Sequence, residues 1–410
     1  MARHSFRVTL VGGAAVFITL AGAAALSGCT PEPAEPQVVR EPEPLPAPPV
    51  SVAPSPPVGP DSAQTPQEAV TAGRAKVALL VPLSGPNKPV GQAMLDAANM
   101  ALFDVSADLA LMPRDTGSTA DGARAAATKA VADGAGLILG PVFSASVQPV
   151  REVADSSQAS IISYSTDATV AGGNVFVMGF LPAGQVDRVV GFAKSRGMTK
   201  LAAIVPDNPY GVAVTAEINA IKTGLGLPQP RILVLDRDPK SQLASLTDDP
   251  PDMLLVAMGG DQLQSLAPAL ADYEAAHPVQ LLGTGLWADD PALPHMAGLA
   301  GGWYASPSPE GFVNFASRFQ QIYNYRPPRI ATLAYDSVAL ATSVSRGSAG
   351  SPTPFSRDML LQPNGFIGVD GGFRFLSSGL SERNLAVLAI GPDGPTVVDP
   401  APPSFEKLGQ

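Results

Sequence analysis

The chain has one cysteine and three histidines among 410 residues, and Asp, Glu, Lys and Arg together make only 15% of it. A single cysteine excludes an intrachain disulfide. With so few histidines, it also excludes a zinc framework of the Cys/His kind. Lys and Arg total 26 against 36 Asp and Glu, a formal net charge of −10. Such a chain lacks the basic face that a phosphate backbone requires, which argues against a nucleic-acid binder. Enzyme signatures are missing as well: there is no P-loop, no nucleophile elbow and no His-Glu-x-x-His. His277 and His295 are isolated, and the pairs Asp248-Asp249 and Asp289-Asp290 stand beside prolines, where turn chemistry accounts for them. No catalytic residue, metal ligand or cofactor is therefore assigned. What the chain does have is 45% hydrophobic residues, enough to bury a sizeable core, and 43 prolines in uneven supply.

The N-terminal residues read as an address. Arg3, His4 and Arg7 precede a nearly uncharged run from Val8 to Leu26, followed by Leu26-Ser27-Gly28-Cys29. A basic start, an apolar run and small residues form a secretory signal. The last four residues resemble the lipobox of bacterial lipoproteins, which implies lipidation of Cys29 after removal of residues 1–28. Acyl chains contribute about 0.8 kcal/mol per buried CH₂, so several of them hold a protein firmly on a membrane. Thr30, in place of an Asp that would favour the inner membrane, points by analogy to the periplasmic side of the outer membrane.

Residues 29–74 read as a tether. Twelve prolines lie between Pro31 and Pro60 among Glu, Val, Ala and Ser. Such a stretch cannot bury enough apolar surface to order itself. As polyproline II, at about 3.1 Å per residue, some 45 residues reach roughly 140 Å. The stretch is either an inert spacer or a stalk that carries a head through the cell-wall mesh.

A head is expected over 75–395, with a loose tail over 396–410. Lys76–Leu83 is an apolar run of the buried parallel-strand type. Met94, Leu95, Ala98 and Leu102 fall at helical spacing within 91–107. Leu109–Pro113 reads as a strand, 120–133 as an Ala-rich helix, Gly136–Gly140 as a strand, 147–157 as a helix and Ala159–Ser163 as a strand. This alternation predicts an α/β fold: a parallel sheet with helices on both faces. The pattern then restarts. Lys200–Pro206 echoes Lys76–Pro82, each leading through a turn to a glycine (Gly91, Gly211) and a helix, and Asp252–Ala257 echoes Gly136–Gly140. Two similar lobes follow, with a ligand cleft expected at the carboxyl ends of their strands.

Several segments carry a family likeness: Val81-Pro-Leu-Ser-Gly85 with Gly91, Gly140-Pro-Val-Phe-Ser144 with Gln148-Pro149, Ile162-Ser163, Asn208-Pro-Tyr-Gly211, Ala334-Tyr-Asp336 and Gly365-Phe-Ile-Gly368. In order and spacing they resemble type I periplasmic binding proteins of the branched-chain amino-acid-binding branch. The resemblance implies a two-lobed fold with lobe 1 at about 76–179 and 286–351, and lobe 2 at about 180–285 and 352–395. A narrower likeness lies in Leu282-Gly-Thr-Gly-Leu-Trp287, Phe366–Gly371, Gly372-Phe-Arg-Phe375, Leu385–Leu388 and Pro400-Ala-Pro-Pro-Ser-Phe405. These resemble alphaproteobacterial penicillin-binding protein activator lipoproteins. That family implies a non-enzymatic regulator of cell-wall synthases, here without the helical-repeat domain of its gammaproteobacterial members.

The amino-acid-binding resemblance also implies cleft positions. Ser144, Ser165 and Asp167 match the lobe that holds a ligand carboxylate, and Tyr210 matches a cleft aromatic. Asp167 stands where relatives often carry Thr, and its carboxylate would repel that of a ligand. It would suit an ammonium instead. The acidic residue that pairs with a ligand ammonium in relatives matches Gly285, and an expected aromatic is replaced by Val90. A free amino acid would thus lose a charge-assisted hydrogen bond, worth roughly 1.5–3 kcal/mol. The structural alternatives are turn and helix capping for Ser144 and Ser165, packing beside Gly211 for Tyr210, and core for Trp287. The expected function is activation or scaffolding of peptidoglycan synthesis through a bifunctional penicillin-binding protein. The competing expectation is a solute receptor of an amino-acid or related uptake system.

Overall fold

The structure is a computed structural model, described here for residues 74–405 apart from 106–107, 236–237, 289, 291, 297 and 352. The signal segment, Cys29 and the Pro-rich stretch lie outside the described residues. Two large sheets follow one another along the chain. The first is wholly parallel, in the order β2 (Leu109–Asp115), β1 (Ala75–Val81), β3 (Leu137–Leu139), β4 (Ser160–Ser163), β5 (Val175–Val177). Its connecting helices are α1 (Lys88–Asp104), α2 (Ala120–Ala132) and α3 (Ser144–Ala154). The second lobe starts with α4 (Pro182–Ser195). It continues through β6 (Leu201–Val205), α5 (Pro209–Gly224), β7 (Arg231–Val234), α6 (Pro239–Ala244), β8 (Met253–Val256), α7 (Gly260–Ala276), β9 (Gln280–Gly283) and β10 (Trp303–Ser306). The chain then runs through α8 (Pro309–Tyr323), α9 (Ala331–Gly347) and α10 (Arg357–Leu360). A small sheet of β11 (Phe366–Gly368), β12 (Gly371–Phe375) and β13 (Ser381–Arg383) comes next, and β14 (Ala386–Gly391) and β15 (Gly394–Asp399) finish the fold. The second sheet is ordered β15-β14-β10-β9-β8-β6-β7, with β14 antiparallel to both neighbours.

The apolar runs are strands because helices cover both of their faces. Successive side chains of β1 point to opposite faces. Val77, Leu79 and Val81 join a core with α1, α8 and α9, whereas Ala78 and Leu80 meet the alanines of α2 and the α3 valines. The echo between the lobes has one steric origin. A Cβ on Gly91 would lie 1.9 Å from the Pro82 carbonyl oxygen, and one on Gly211 would lie 2.0 Å from that of Pro206. Each helix therefore enters directly against the turn that leaves the preceding strand, and only glycine permits that approach.

The lobe limits differ from expectation in three places. Residues 286–306 remain in the second lobe: β10 pairs with β9, and Trp287, Leu293, Leu299 and Tyr304 fill the core under β8. The return to the first lobe comes instead with α8, whose Phe312, Phe315 and Phe319 share a core with Val77. Residues 353–383 stay with the first lobe, since Phe355, Leu360, Phe373 and Phe375 belong to that same core. Of the expected loose tail, residues 396–405 are held in place, and 406–410 lie outside the described residues. β15 completes an edge of the second sheet through Asp399, and the Arg374 guanidinium lies 4.8 Å from the Phe405 ring centroid.

The chain thus crosses between lobes at 179–181, 307–308 and 384–385. Buried ionic groups cluster beside these crossings. Arg383, just before the third, donates from Nη2 to the Met178 carbonyl at 2.9 Å and lies 5.0 Å from the ring of Phe180 on the first. Arg329 pairs with Asp370 at 2.6 Å, with side-chain exposures of 10% and 0%, and Thr332 donates to the same carboxylate at 2.5 Å.

Candidate functional site

In a parallel sheet the carboxyl ends of all strands lie on one edge. The first crossing leaves that edge of the first lobe after β5 and enters the N-terminus of α4. Gln185, in the first turn of α4, accepts the Gly285 N–H just past β9 at 2.8 Å, so that turn sits at the carboxyl edge of the second sheet. The two carboxyl edges are therefore joined directly, and the groove between them is the candidate site.

On the first lobe, the β4 exit is a relay of local hydrogen bonds. The Ser163 hydroxyl donates to the Pro141 carbonyl at 3.2 Å and accepts the Ser165 N–H at 3.2 Å. Ser165 is buried, and its hydroxyl accepts the Asp167 N–H at 3.0 Å. Asp167 Oδ1 accepts both the N–H and the hydroxyl of Thr169, at 2.9 and 2.6 Å, capping the short 3₁₀ turn Ala168–Val170. Two of the candidate residues are thus joined, and their atoms perform the capping work that the structural alternative describes. Ser144 opens α3 after Phe143 and is half-buried. At the β1 exit, Asp115 Oδ1 gathers the N–H groups of Leu83, Ser84 and Gly117 at 2.8–3.1 Å. Partial burial pushes its carboxyl up, but the hydrogen bonds from Ser84, Gly117 and Leu83 prevail and hold it below the usual range.

On the second lobe, Asn208 caps α5 by accepting the Gly211 N–H at 3.1 Å. That places Tyr210 in the first turn, where its hydroxyl donates to Thr284 Oγ1 at 2.9 Å. Thr284 is fully buried. Burial pushes the Tyr210 phenol up to about 12, against the opposing pull of the Thr284 bond, so it stays neutral at any physiological pH. Tyr210 lies in the opposite lobe from Ser144, Ser165 and Asp167. Trp287 is wholly buried and donates from Nε1 to the Met258 carbonyl at 3.0 Å, which makes it core. Its indole lies where a Cβ on Gly283 would be, 2.2–2.4 Å away.

Sequence reading missed three members of this region. Gln185 seals the Gly285 N–H. Its carboxamide lies 3.1–3.3 Å from where a Gly285 Cβ would stand, so the Gln185 amide occupies the space beside Gly285. Thr284 satisfies Tyr210. Asp336 sits under the third crossing, its Oδ1 accepting the Val369 N–H at 2.7 Å while its buried Oδ2 has no donor among the described residues. Only pairings between distant strands reveal the first two. The third was visible as the Asp of Ala334-Tyr-Asp336, but not as buried.

Two α/β lobes joined at the carboxyl ends of their strands make a two-lobed head with its groove at those ends. A family model described as periplasmic binding protein matches residues 74–359, and the chain belongs to that family. The family places it in the periplasm. A putative branched-chain amino acid ABC transporter from Rhodospirillum rubrum has a similar structure, with TM-score 0.70 and 19% identity over 79% of this chain and 100% of that one. The substrate-binding protein LivJ from Streptococcus pneumoniae, in complex with isoleucine, has TM-score 0.56 at 16% identity, over 80% and 100% of the two chains. A solute-binding protein from R. palustris in complex with benzoate has TM-score 0.58 at 17% identity, over 82% and 98%. In sequence, the uncharacterized protein RP748 of Rickettsia prowazekii is 27% identical over 140 residues, 34% of this chain and 38% of that protein. The match thus spans well under half of that relative's length.

Proposed function

We propose that this protein is a periplasmic solute receptor whose groove takes a neutral or cationic small molecule, not a free zwitterionic amino acid. The observation that carries this reading is the charge pattern of the groove. Asp167 places a carboxylate on one rim, with Oδ1 engaged by Thr169, while on the other lobe Gly285 carries no acid and its N–H is held by Gln185. A ligand carboxylate would meet repulsion at Asp167, and its ammonium would find no carboxylate at position 285. The test is thermal unfolding of the full chain with a panel of amino acids, aromatic acids and small amines. Leucine, isoleucine and valine leave the melting temperature unchanged. An amine at about 100 times its dissociation constant adds about 2.7 kcal/mol of stability, and Asp167→Asn removes that gain. A shift with leucine would overturn the reading.

A second reading is favoured by one specific observation. Phe405, from one of the segments that carry the activator likeness, lies against Gly365, Gly372 and Arg374 beside two others. On this reading the protein is a lipoprotein anchored through Cys29 at the outer membrane. Its tether presents the head to a bifunctional penicillin-binding protein, and it activates peptidoglycan synthesis by contact. Crosslinking of a tagged chain in living cells separates the two readings. Enrichment of a penicillin-binding protein supports the second, and enrichment of a transport permease supports the first.

A further inference from the structure

We propose that residues 400–405 form a strap that ties the two lobes together on the hinge side and fixes the opening of the groove. The proposal does not depend on which solute or partner the head binds. The strap is anchored at both ends, each end on a different lobe. On the second lobe, Arg188 of α4 holds the start of the strap. Its Nη2 reaches Asp399 at 2.5 Å and the Pro400 carbonyl at 3.2 Å, while Nε donates to the Leu385 carbonyl at 2.8 Å. On the first lobe, Phe405 rests on the β11–β12 hairpin. A Cβ on Gly365 would lie 2.9 Å from its ring, and one on Gly372 would lie 3.7 Å away. The Arg374 guanidinium covers the ring at 4.8 Å and is itself held by Glu382 at 2.7 Å. The hairpin under Phe405 is rooted in the first-lobe core through Phe373 and Phe375.

Between these anchors the chain is short. Six residues span at most about 3.3–3.6 Å each, and Pro402 and Pro403 fix φ along the way. The strap does not pack flat on the crossings. It bounds a crevice of about 630 Å³ lined by Phe180, Leu181, Leu376, Leu380 and Leu385, which belong to or adjoin the first and third crossings. A hinge rotation has to change the distance between the Arg188 end and the Arg374 end. The strap therefore opposes rotation until Phe405 leaves its seat.

The test is an inter-lobe distance measurement on the full chain carrying Cys29→Ser, with spin labels at Ala125→Cys on α2 and Ala220→Cys on α5, both exposed. The expected result is one narrow distance population in this background. With Phe405→Ala, or with the chain ended after Pro400, a second, shifted population appears while circular dichroism is unchanged. Arg374→Ala gives the same second population in smaller proportion, and Phe405→Tyr restores the single one. An unchanged, single, narrow distribution in both Phe405→Ala and the truncated chain would overturn the strap. If the truncated chain fails to fold, the two point variants decide alone.

Discussion

The groove and the hinge of this protein use polar side chains in opposite ways. In the groove, Ser163, Ser165, Asp167, Tyr210, Thr284 and Gln185 are committed to short hydrogen bonds with nearby hydroxyls or backbone. At the hinge, by contrast, ionisable groups are buried: Arg329 against Asp370, Asp336 beneath Val369, and Arg383 between the Phe180 and Phe373 rings. Buried charge costs several kcal/mol per ion unless it is paired. The chain thus buries its most demanding electrostatics where its lobes join, and at the strand ends keeps carboxylates such as Asp115 and Asp167 capped by local hydrogen bonds.

The largest test of this contrast is to remove one half of a hinge pair. Arg329→Ala leaves Asp370, whose side chain is 0% exposed, without its guanidinium partner and with the Thr332 hydroxyl still donating to it. Breaking a buried pair in this way costs about 3–5 kcal/mol, read as a lower urea midpoint. A loss under about 1 kcal/mol would mean that the hinge charges are solvated after all.

The next effect is a pH dependence. Burial raises the Asp336 carboxyl from 3.8 to about 7, while the Val369 N–H and the Arg383 charge pull it down and Asp370 pushes it up. Between about pH 4 and about pH 7 the folded protein keeps a proton that the unfolded chain has released. This group's stability contribution is therefore full in acid, falls as pH rises through that window and levels off above about 7. The change is on the order of 2–4 kcal/mol, and Asp336→Asn should flatten that part of the stability curve. An unaltered slope in Asp336→Asn would place the titration elsewhere.

Much of the fold was legible from period and punctuation. Lys76–Leu83 is buried on both faces and reads as a parallel strand, and Gly91 and Gly211 mark matching close approaches. The lobe limits were not legible, because Trp287 and the Phe366–Phe375 hairpin declare apolarity without saying which core receives them. Long-range sheet pairing decides that: β10 beside β9, and Phe373 against the first-lobe core. Two markers that looked separate in sequence are one contact. A Cβ on Gly368 would stand 2.3 Å from Asp336 Oδ2, so Ala334-Tyr-Asp336 and Gly365-Phe-Ile-Gly368 constrain each other. Of the groove, residue types were legible but not commitments. Nothing local announces that Gln185 reaches Gly285, 100 positions away.

Smaller effects sharpen the groove side. Asp167→Ala removes the cap on Thr169 and costs about 1 kcal/mol, seen in the same urea titrations. A much larger loss would show that Asp167 supports more than its own turn.

The smallest effect separates a structural Tyr210 from a ligand-facing one. Tyr210→Phe deletes one neutral hydrogen bond and leaves the fully buried Thr284 hydroxyl without its tyrosine donor, at a cost of about 0.5–1.5 kcal/mol. Thr284→Val strands the phenol instead and costs a similar amount. The double variant removes both partners, so it should lose less than the sum of the two single losses, because no polar group is left stranded. Additive losses would mean that each hydroxyl answers to something else, and for Tyr210 the open neighbour is the groove.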